Sequence, residues 1–125
     1  MNVKTIILIE DNPDNRLLTQ AILESEYEII CFEDGLSALS GLPSTNPDLI
    51  LLDISLPGMD GLEVLNRIRK IEELSQIPVI ALTAHALPGD KEHFLRQGFN
   101  DYITKPIIDD NLLFSIIKKW ISRTE

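Results

Sequence analysis

One cysteine, Cys31, stands among the 125 residues. It cannot form an internal disulfide, so the chain suits a reducing compartment, the cytoplasm. Cys31 itself reads as a small buried hydrophobe rather than a reactive thiol. No apolar run approaches the roughly 20 residues needed to span a bilayer, which argues against membrane insertion. The opening Met1-Asn2-Val3-Lys4-Thr5 has neither the cationic flank nor the long apolar region of a signal peptide. The two histidines, His85 and His93, are separated and give no zinc-type spacing. Positive charge is scarce. Eleven Lys and Arg against twenty Asp and Glu leave a net charge of −9, which disfavours a phosphate-backbone footprint, and no direct nucleic-acid binding is expected. No repeat, low-complexity tract or linker interrupts the chain, so residues 1–125 are expected to form a single domain.

What is present is a set of apolar runs alternating with helical patterns, in a chain that is 44% hydrophobic. Thr5 to Ile9 is strand-like and β-branched. Pro13 suits a first helical turn, capped by Asp11 or Asn12. Leu17, Leu18, Ala21 and Ile22 then give a helical face through about Glu24. Tyr27 to Phe32 reads as a second strand, and Leu36, Ala38 and Leu39 begin a short helix. Pro43 to Pro47 is a loop. A third strand covers about Asp48 to Leu52. Gly61 opens a helix with Leu62, Leu65 and Ile68 on one face. Pro78 to Leu82 is the fourth strand, ending at Thr83. Gly89-Asp90 leads into a polar helix that stops at Gly98, a good left-handed cap residue. Asp101 to Ile103 is a short fifth strand. The last helix runs from about Asp109 to Ser122. Its apolar residues (Leu112, Leu113, Phe114, Ile116, Ile117, Trp120, Ile121) cover about half its circumference, more than the stripe of somewhat over ~100° that a surface helix needs. Either the contact with the sheet and a neighbouring helix is wide, or an apolar strip is left for a partner or a second copy.

Five βα units in this order imply an α/β fold with a parallel sheet covered on both faces, and right-handed crossovers make it a doubly wound three-layer sandwich. The stretch Leu49-Ile50-Leu51-Leu52-Asp53 is apolar at every position before its carboxylate, as in a strand buried on both faces. In open α/β sheets ligands bind at the carboxyl ends of the strands. That edge collects Glu10 and Asp11 from the first strand, Asp53 from the third, Thr83 from the fourth and Lys105 from the fifth. Three close carboxylates repel one another, which raises their pKa values or requires a cation. Lys105 supplies one charge, and the rest suits a hard divalent ion such as magnesium. Asp11 and Asp53 are candidate direct ligands, Glu10 a direct or water-bridged one, and the Ser55 backbone carbonyl a further one. Each has a plainer reading too: Asp11 as a helix cap, Thr83 as a turn cap, Lys105 as a surface lysine, Asp53 as a turn former.

Four segments carry a resemblance: Ile9-Glu10-Asp11-Asn12, Leu51-Leu52-Asp53-Ile54-Ser55-Leu56-Pro57-Gly58-Met59-Asp60-Gly61, Ala81-Leu82-Thr83-Ala84 and Tyr102-Ile103-Thr104-Lys105-Pro106. In these the chain resembles the receiver domains of two-component response regulators, the chemotaxis-protein-Y-like family. The resemblance runs from about Thr5 to Ile121 and leaves no output domain. It implies a flavodoxin-like fold with five helices and strand order 2-1-3-4-5. It also implies that Asp53 accepts a phosphoryl group from a phosphohistidine of a sensor histidine kinase or a histidine phosphotransfer protein. Magnesium or manganese, Lys105 and Thr83 would assist. Thr83 and Tyr102 would form a switch acting on the face of the fourth helix, fifth strand and fifth helix, where a downstream protein or a second copy would bind. Ser55 and His85 would tune the acyl phosphate's lifetime. Such a module catalyses only its own phosphorylation and autodephosphorylation and is not otherwise an enzyme. The segment Ala84 to Asp90 is similar to that of hybrid-kinase receivers and of single-domain regulators of the DivK kind.

Two other classes share parts of this pattern. A flavodoxin-like electron carrier needs a phosphate-cradling loop after the first strand, where Glu10-Asp11-Asn12-Pro13-Asp14 would repel a flavin phosphate. An aspartyl-nucleophile phosphatase usually has a second Asp two residues past the first; Ser55 holds that position.

Overall fold

The computed structural model describes residues 3–84, 89–105, 107 and 109–123. Five parallel strands form one sheet in the order β2-β1-β3-β4-β5. They are β1 (Thr5–Ile9), β2 (Glu28–Phe32), β3 (Leu49–Asp53), β4 (Val79–Thr83) and β5 (Asp101–Thr104). The helices are α1 (Pro13–Leu23), α2 (Gly35–Gly41), α3 (Gly61–Arg69), α4 (Asp90–Gln97) and α5 (Asp110–Arg123).

The unbroken apolar runs are explained by position in the sheet. Every residue of β3 and β4 is buried. Alternate side chains of a strand point to opposite faces, so each run feeds two cores. Ile7, Ile9, Ile50, Leu52, Val79 and Ala81 pack with Ala38, Val64, Leu65, Ile68 and Phe94 on the side of α2, α3 and α4. Ile6, Leu8, Leu49, Leu51, Ile80 and Leu82 pack with Leu23, Leu113, Ile117 and Ile121 on the side of α1 and α5. β2 and β5 are the sheet's edges and only partly buried.

Several boundaries differ from the sequence reading. Asp48 lies just outside β3 because its carboxylate accepts the Thr5 N–H at 2.8 Å and its own N–H donates to the Thr5 carbonyl at 2.8 Å. Asp53 is instead the last residue of the strand. The segment expected to be loop from Pro43 begins inside a 3₁₀ turn, Leu42–Ser44, and a second such turn, Glu72–Leu74, has no apolar period to announce it. Gly98 ends α4 with φ 112°, the left-handed conformation that its lack of a Cβ permits. Cys31 is half-buried rather than fully buried. Burial pushes its thiol pKa up against the Arg16 charge, which fits the unreactive reading.

The wide apolar surface of α5 divides three ways. Leu113, Ile117 and Ile121 are buried, Phe114, Ile116 and Trp120 half-buried, and Leu112 exposed. Phe114 stacks on Tyr27 with ring centroids 6.4 Å apart, and the Trp120 indole donates to the Asp101 carboxylate at 3.0 Å. Much of the excess therefore packs within the fold. Among the described residues no helix is long and apolar enough to cross a membrane.

Candidate functional site at the carboxyl edge of the sheet

β1, β3, β4 and β5 end side by side, and their last residues meet. The ladder pairs Ile9 with Leu52, Asp53 with Leu82 and Thr83 with Thr104. Glu10 extends β1 by one bond, its N–H donating to the Phe32 carbonyl at 3.0 Å. Lys105 extends β5 in the same way, donating its N–H to the Thr83 carbonyl at 2.7 Å. These bonds set the chain direction from which the functional side chains project.

The Lys105 ammonium donates to Asp53 Oδ2 at 2.9 Å and to Glu10 Oε1 at 3.1 Å. Both carboxylates are almost wholly removed from solvent, Asp53 at 1% exposed and Glu10 at 1%. Asp53 Oδ1 accepts the Ser55 N–H at 2.9 Å, and Glu10 Oε2 accepts the Asn12 N–H at 3.2 Å. Glu10, Asp11 and Asp53 each offer a carboxylate oxygen within 4.8 Å of the others. Thr83 is fully buried at the end of β4.

The question of which residue caps α1 is settled by geometry. Asn12 has extended backbone (φ −79°, ψ 118°) and its side chain accepts the Asn15 N–H at 2.9 Å. Asp11 is thereby left out of the cap and lies exposed at the mouth of the site. Asp60 plays the corresponding part for α3, accepting the Glu63 N–H at 3.0 Å. Gly61 has a second role that sequence reading missed. A Cβ there would lie 2.5 Å from Ile54 Cα and 2.7 Å from the Asp53 carbonyl oxygen. Only glycine lets α3 start this close to the backbone that carries Asp53.

Charge in the cluster is divided unequally. Burial, with the neighbouring Asp53 carboxylate, pushes Glu10 up to about 7, against the Asn12 N–H and the Lys105 ammonium. Burial acts on Asp53 in the same direction, but hydrogen bonds from Glu10, the Ser55 N–H and Lys105 outweigh it and hold Asp53 below its ordinary value. For Lys105 burial works downward, and the contacts with Asp53 and Glu10 more than offset it, so its pKa is raised. The protein groups alone thus favour an ionised Asp53, a charged Lys105 and a proton held on Glu10 near neutrality. A hard divalent cation suits this donor set of three carboxylates, since it can take the place of that proton.

Other expected residues have definite positions. Tyr102 is half-buried on β5, registered with Ala81, with its ring 5.9 Å from that of Phe94. Ser55 is exposed, and its backbone N–H reaches Asp53. His93 lies on the exposed face of α4 as expected. His85, assigned to lifetime tuning, lies outside the described residues, as do Ala86, Leu87, Pro88 and Pro106. Arg16 was not singled out by the sequence. It donates to the carbonyl oxygens of both Glu10 and Asp11, and its place in the first turns of α1 was the available signal.

A family model for the response regulator receiver domain matches residues 6–118. The chain belongs to this family. The receiver is similar to the polar-differentiation response regulator DivK of Brucella ovis, at 46% identity over 105 residues, 83% of this chain and 85% of that one. It is also similar to the sensor protein GacS of Pseudomonas syringae, at 38% identity over 119 residues. That match covers 92% of this chain but only 13% of GacS. Among solved structures it resembles the receiver domain of the sensor histidine kinase PA1611 of Pseudomonas aeruginosa, with a TM-score of 0.87 at 38% identity over 97% of this chain and 99% of that one. The PA1611 receiver holds a magnesium ion coordinated in its active-site cleft. The fold is the CheY-like one, with the expected strand order.

Proposed function

We propose that this receiver is a phosphorylatable switch in which Asp53 takes a phosphoryl group from a phosphohistidine. The observation that carries the reading is the Lys105 ammonium held between Asp53 Oδ2 and Glu10 Oε1, at 2.9 and 3.1 Å, beside three clustered carboxylates. In the transfer, an Asp53 carboxylate oxygen forms a bond to phosphorus as the phosphorus–nitrogen bond breaks. The imidazole leaves with that electron pair and takes up a proton. Phosphoryl transfer depends mainly on alignment and on neutralising the oxygens around phosphorus. Lys105 already sits on the attacking carboxylate and is placed to pass to a phosphoryl oxygen, and Thr83 supplies a hydroxyl at the same edge. Magnesium or manganese, held by Glu10, Asp11, Asp53 and the Ser55 carbonyl, would neutralise further charge.

The donor is a sensor histidine kinase or a histidine phosphotransfer protein, and the setting is cytoplasmic. Phosphorylation adds about −1.5 to −2 charges and strong acceptor oxygens. Thr83 and Tyr102 carry that change outward, with Tyr102 packed on Phe94 of α4. Ser55 and His85 tune the lifetime of the acyl phosphate. A groove of about 420 Å³ lined by Tyr102, Ile103, Leu112, Leu113 and Ile116 supports the α4–β5–α5 face as the surface for a downstream protein or a second copy. The chain catalyses only its own phosphorylation and dephosphorylation.

The test is addition of acetyl phosphate, or beryllofluoride, with magnesium, followed by NMR. Shifts are expected at Thr83 and Tyr102 in the wild type and none in Asp53→Asn. An unresponsive wild type, or an equal response in Asp53→Asn, would overturn the reading.

A further inference from the structure

Arg16 occupies the second turn's threshold of α1, six residues beyond Glu10, and its guanidinium turns back toward the acidic pair. One nitrogen, Nη1, donates to the Glu10 carbonyl oxygen at 2.8 Å and to the Asp11 carbonyl oxygen at 3.1 Å. Those carbonyls lie past the ends of both β1 and β2, because Glu10 makes its ladder bond to Phe32, where β2 stops. Backbone oxygens leaving a sheet need donors of another kind, and Arg16 provides one for two consecutive peptides. The neighbouring bonds complete a small frame. The Asn12 N–H donates to Glu10 Oε2 at 3.2 Å, the Asn12 side chain accepts the Asn15 N–H at 2.9 Å, and the Arg16 N–H donates to the Asn12 carbonyl at 3.0 Å. Every residue from Glu10 to Asn12 is tied to α1 by its backbone or side chain. The Asp11 carboxylate accepts no hydrogen bond from the described residues, so the frame behind it sets its direction.

Two effects of Arg16 on a divalent cation oppose each other. Its positive charge repels the ion. Its hydrogen bonds hold two candidate ligands in place. The charge is directed at two carbonyl dipoles rather than at the carboxylates, and at physiological salt the Debye length is about 8 Å, which weakens the repulsion on the side where the site opens to solvent at Asp11. The loss of outer partners that orient metal ligands typically costs about 10–100-fold in affinity. We propose that Arg16 is a positioning residue for the metal site, fixing the backbone of Glu10 and Asp11 so that both carboxylates are presented to one cation. The proposal rests on the reading that this cluster binds magnesium.

Calorimetric titration with magnesium chloride, at pH 8 and about 0.15 M potassium chloride, separates the two effects by sign. Arg16→Met is expected to bind magnesium about tenfold more weakly than wild type. Arg16→Lys is expected to recover most of that loss, since a single nitrogen makes both bonds and an ammonium can replace it. Circular dichroism and urea unfolding without metal check that each variant is folded. Should Arg16→Met fail to fold, Arg16→Gln, too short to reach both carbonyls, is expected to show the same tenfold loss. Equal or tighter binding by the neutral variant overturns the proposal, because charge would then dominate. Equal loss in Arg16→Lys overturns it as well. A wild type that takes up no magnesium overturns the metal reading itself, and this proposal with it.

Discussion

Replacing Glu10 by glutamine tests the electrostatics of the cluster without needing a phosphodonor. In the folded chain without metal, Glu10 titrates at about 7 instead of 4.5. Between these values the folded state holds a proton that the unfolded chain has released. Stability therefore falls as pH rises through this window, and the whole loss is in place above pH 7. The displacement corresponds to about 3 kcal/mol, most of which falls between pH 5 and pH 8. Asp53 acts with the opposite sign, since its lowered value contributes stability that is lost only as pH falls below its ordinary 3.8. Lys105, raised above 10.5, contributes stability that is lost only at higher alkalinity. Neither falls in the window. Glutamine matches the neutral charge of the protonated carboxyl: its oxygen can still accept from Lys105 and its amide can donate to Asp53. The one acceptor it loses, toward the Asn12 N–H, costs the same at every pH and leaves the slope unchanged.

Glu10→Gln is thus expected to be more stable than wild type at pH 8 in EDTA, with the gap closing by about 2–3 kcal/mol toward pH 5. Urea unfolding followed by the fluorescence of Trp120 measures it. With slopes of ~1–3 kcal/mol per M for small proteins, the change in midpoint difference is roughly 1–3 M. Saturating magnesium should shrink the gap at pH 8, because the wild type gains a ligand that the variant lacks. Parallel stability curves from pH 5 to pH 8, or a gap that opens toward acid, would refute the proton on Glu10 and the strained carboxylate cluster behind it.

Two further substitutions probe the frame around the site. Gly61→Ala would force backbone apart at Ile54 and Asp53, where a Cβ has 2.5 and 2.7 Å. It should cost about 1–3 kcal/mol in urea unfolding and slow phosphorylation by acetyl phosphate about tenfold or more; unchanged phosphorylation would show that the loop tolerates the shift. Arg69 lies at the other end of the sheet, donating to the Ile77 carbonyl at 2.5 Å, Asn100 Oδ1 at 2.8 Å and the Gly98 carbonyl at 3.2 Å. Burial lowers its pKa, and no carboxylate among these partners neutralises it. Arg69→Met should lose about 2–4 kcal/mol of stability while leaving magnesium affinity unchanged, and a loss below about 1 kcal/mol would mean that water replaces the guanidinium at those oxygens.

These sites differ sharply in how well the chain announces them. Asp53 is legible because it ends a short run apolar at every position and bounded by turn residues, the pattern of a strand covered on both sides. Glu10, Thr83 and Lys105 are legible through topology, since parallel strands must finish at a common edge. The same logic could not choose between Asp11 and Asn12 as the cap of α1. Both side chains can accept a helix N–H, and only the extended backbone at Asn12 assigns it. Arg16 and Arg69 were illegible for a different reason. Each bonds to backbone carbonyls freed at the ends of strands or helices, and an oxygen of the main chain leaves no mark on sequence. Any long cation at the right helical turn can reach one. The carboxylates of a receiver can therefore be read from its strands, whereas the frame that aims them becomes visible only once the chain is folded. Two chains with the same Glu-Asp pair, one with a cation at the position of Arg16 and one without, should accordingly differ in metal affinity although their ligand residues are identical.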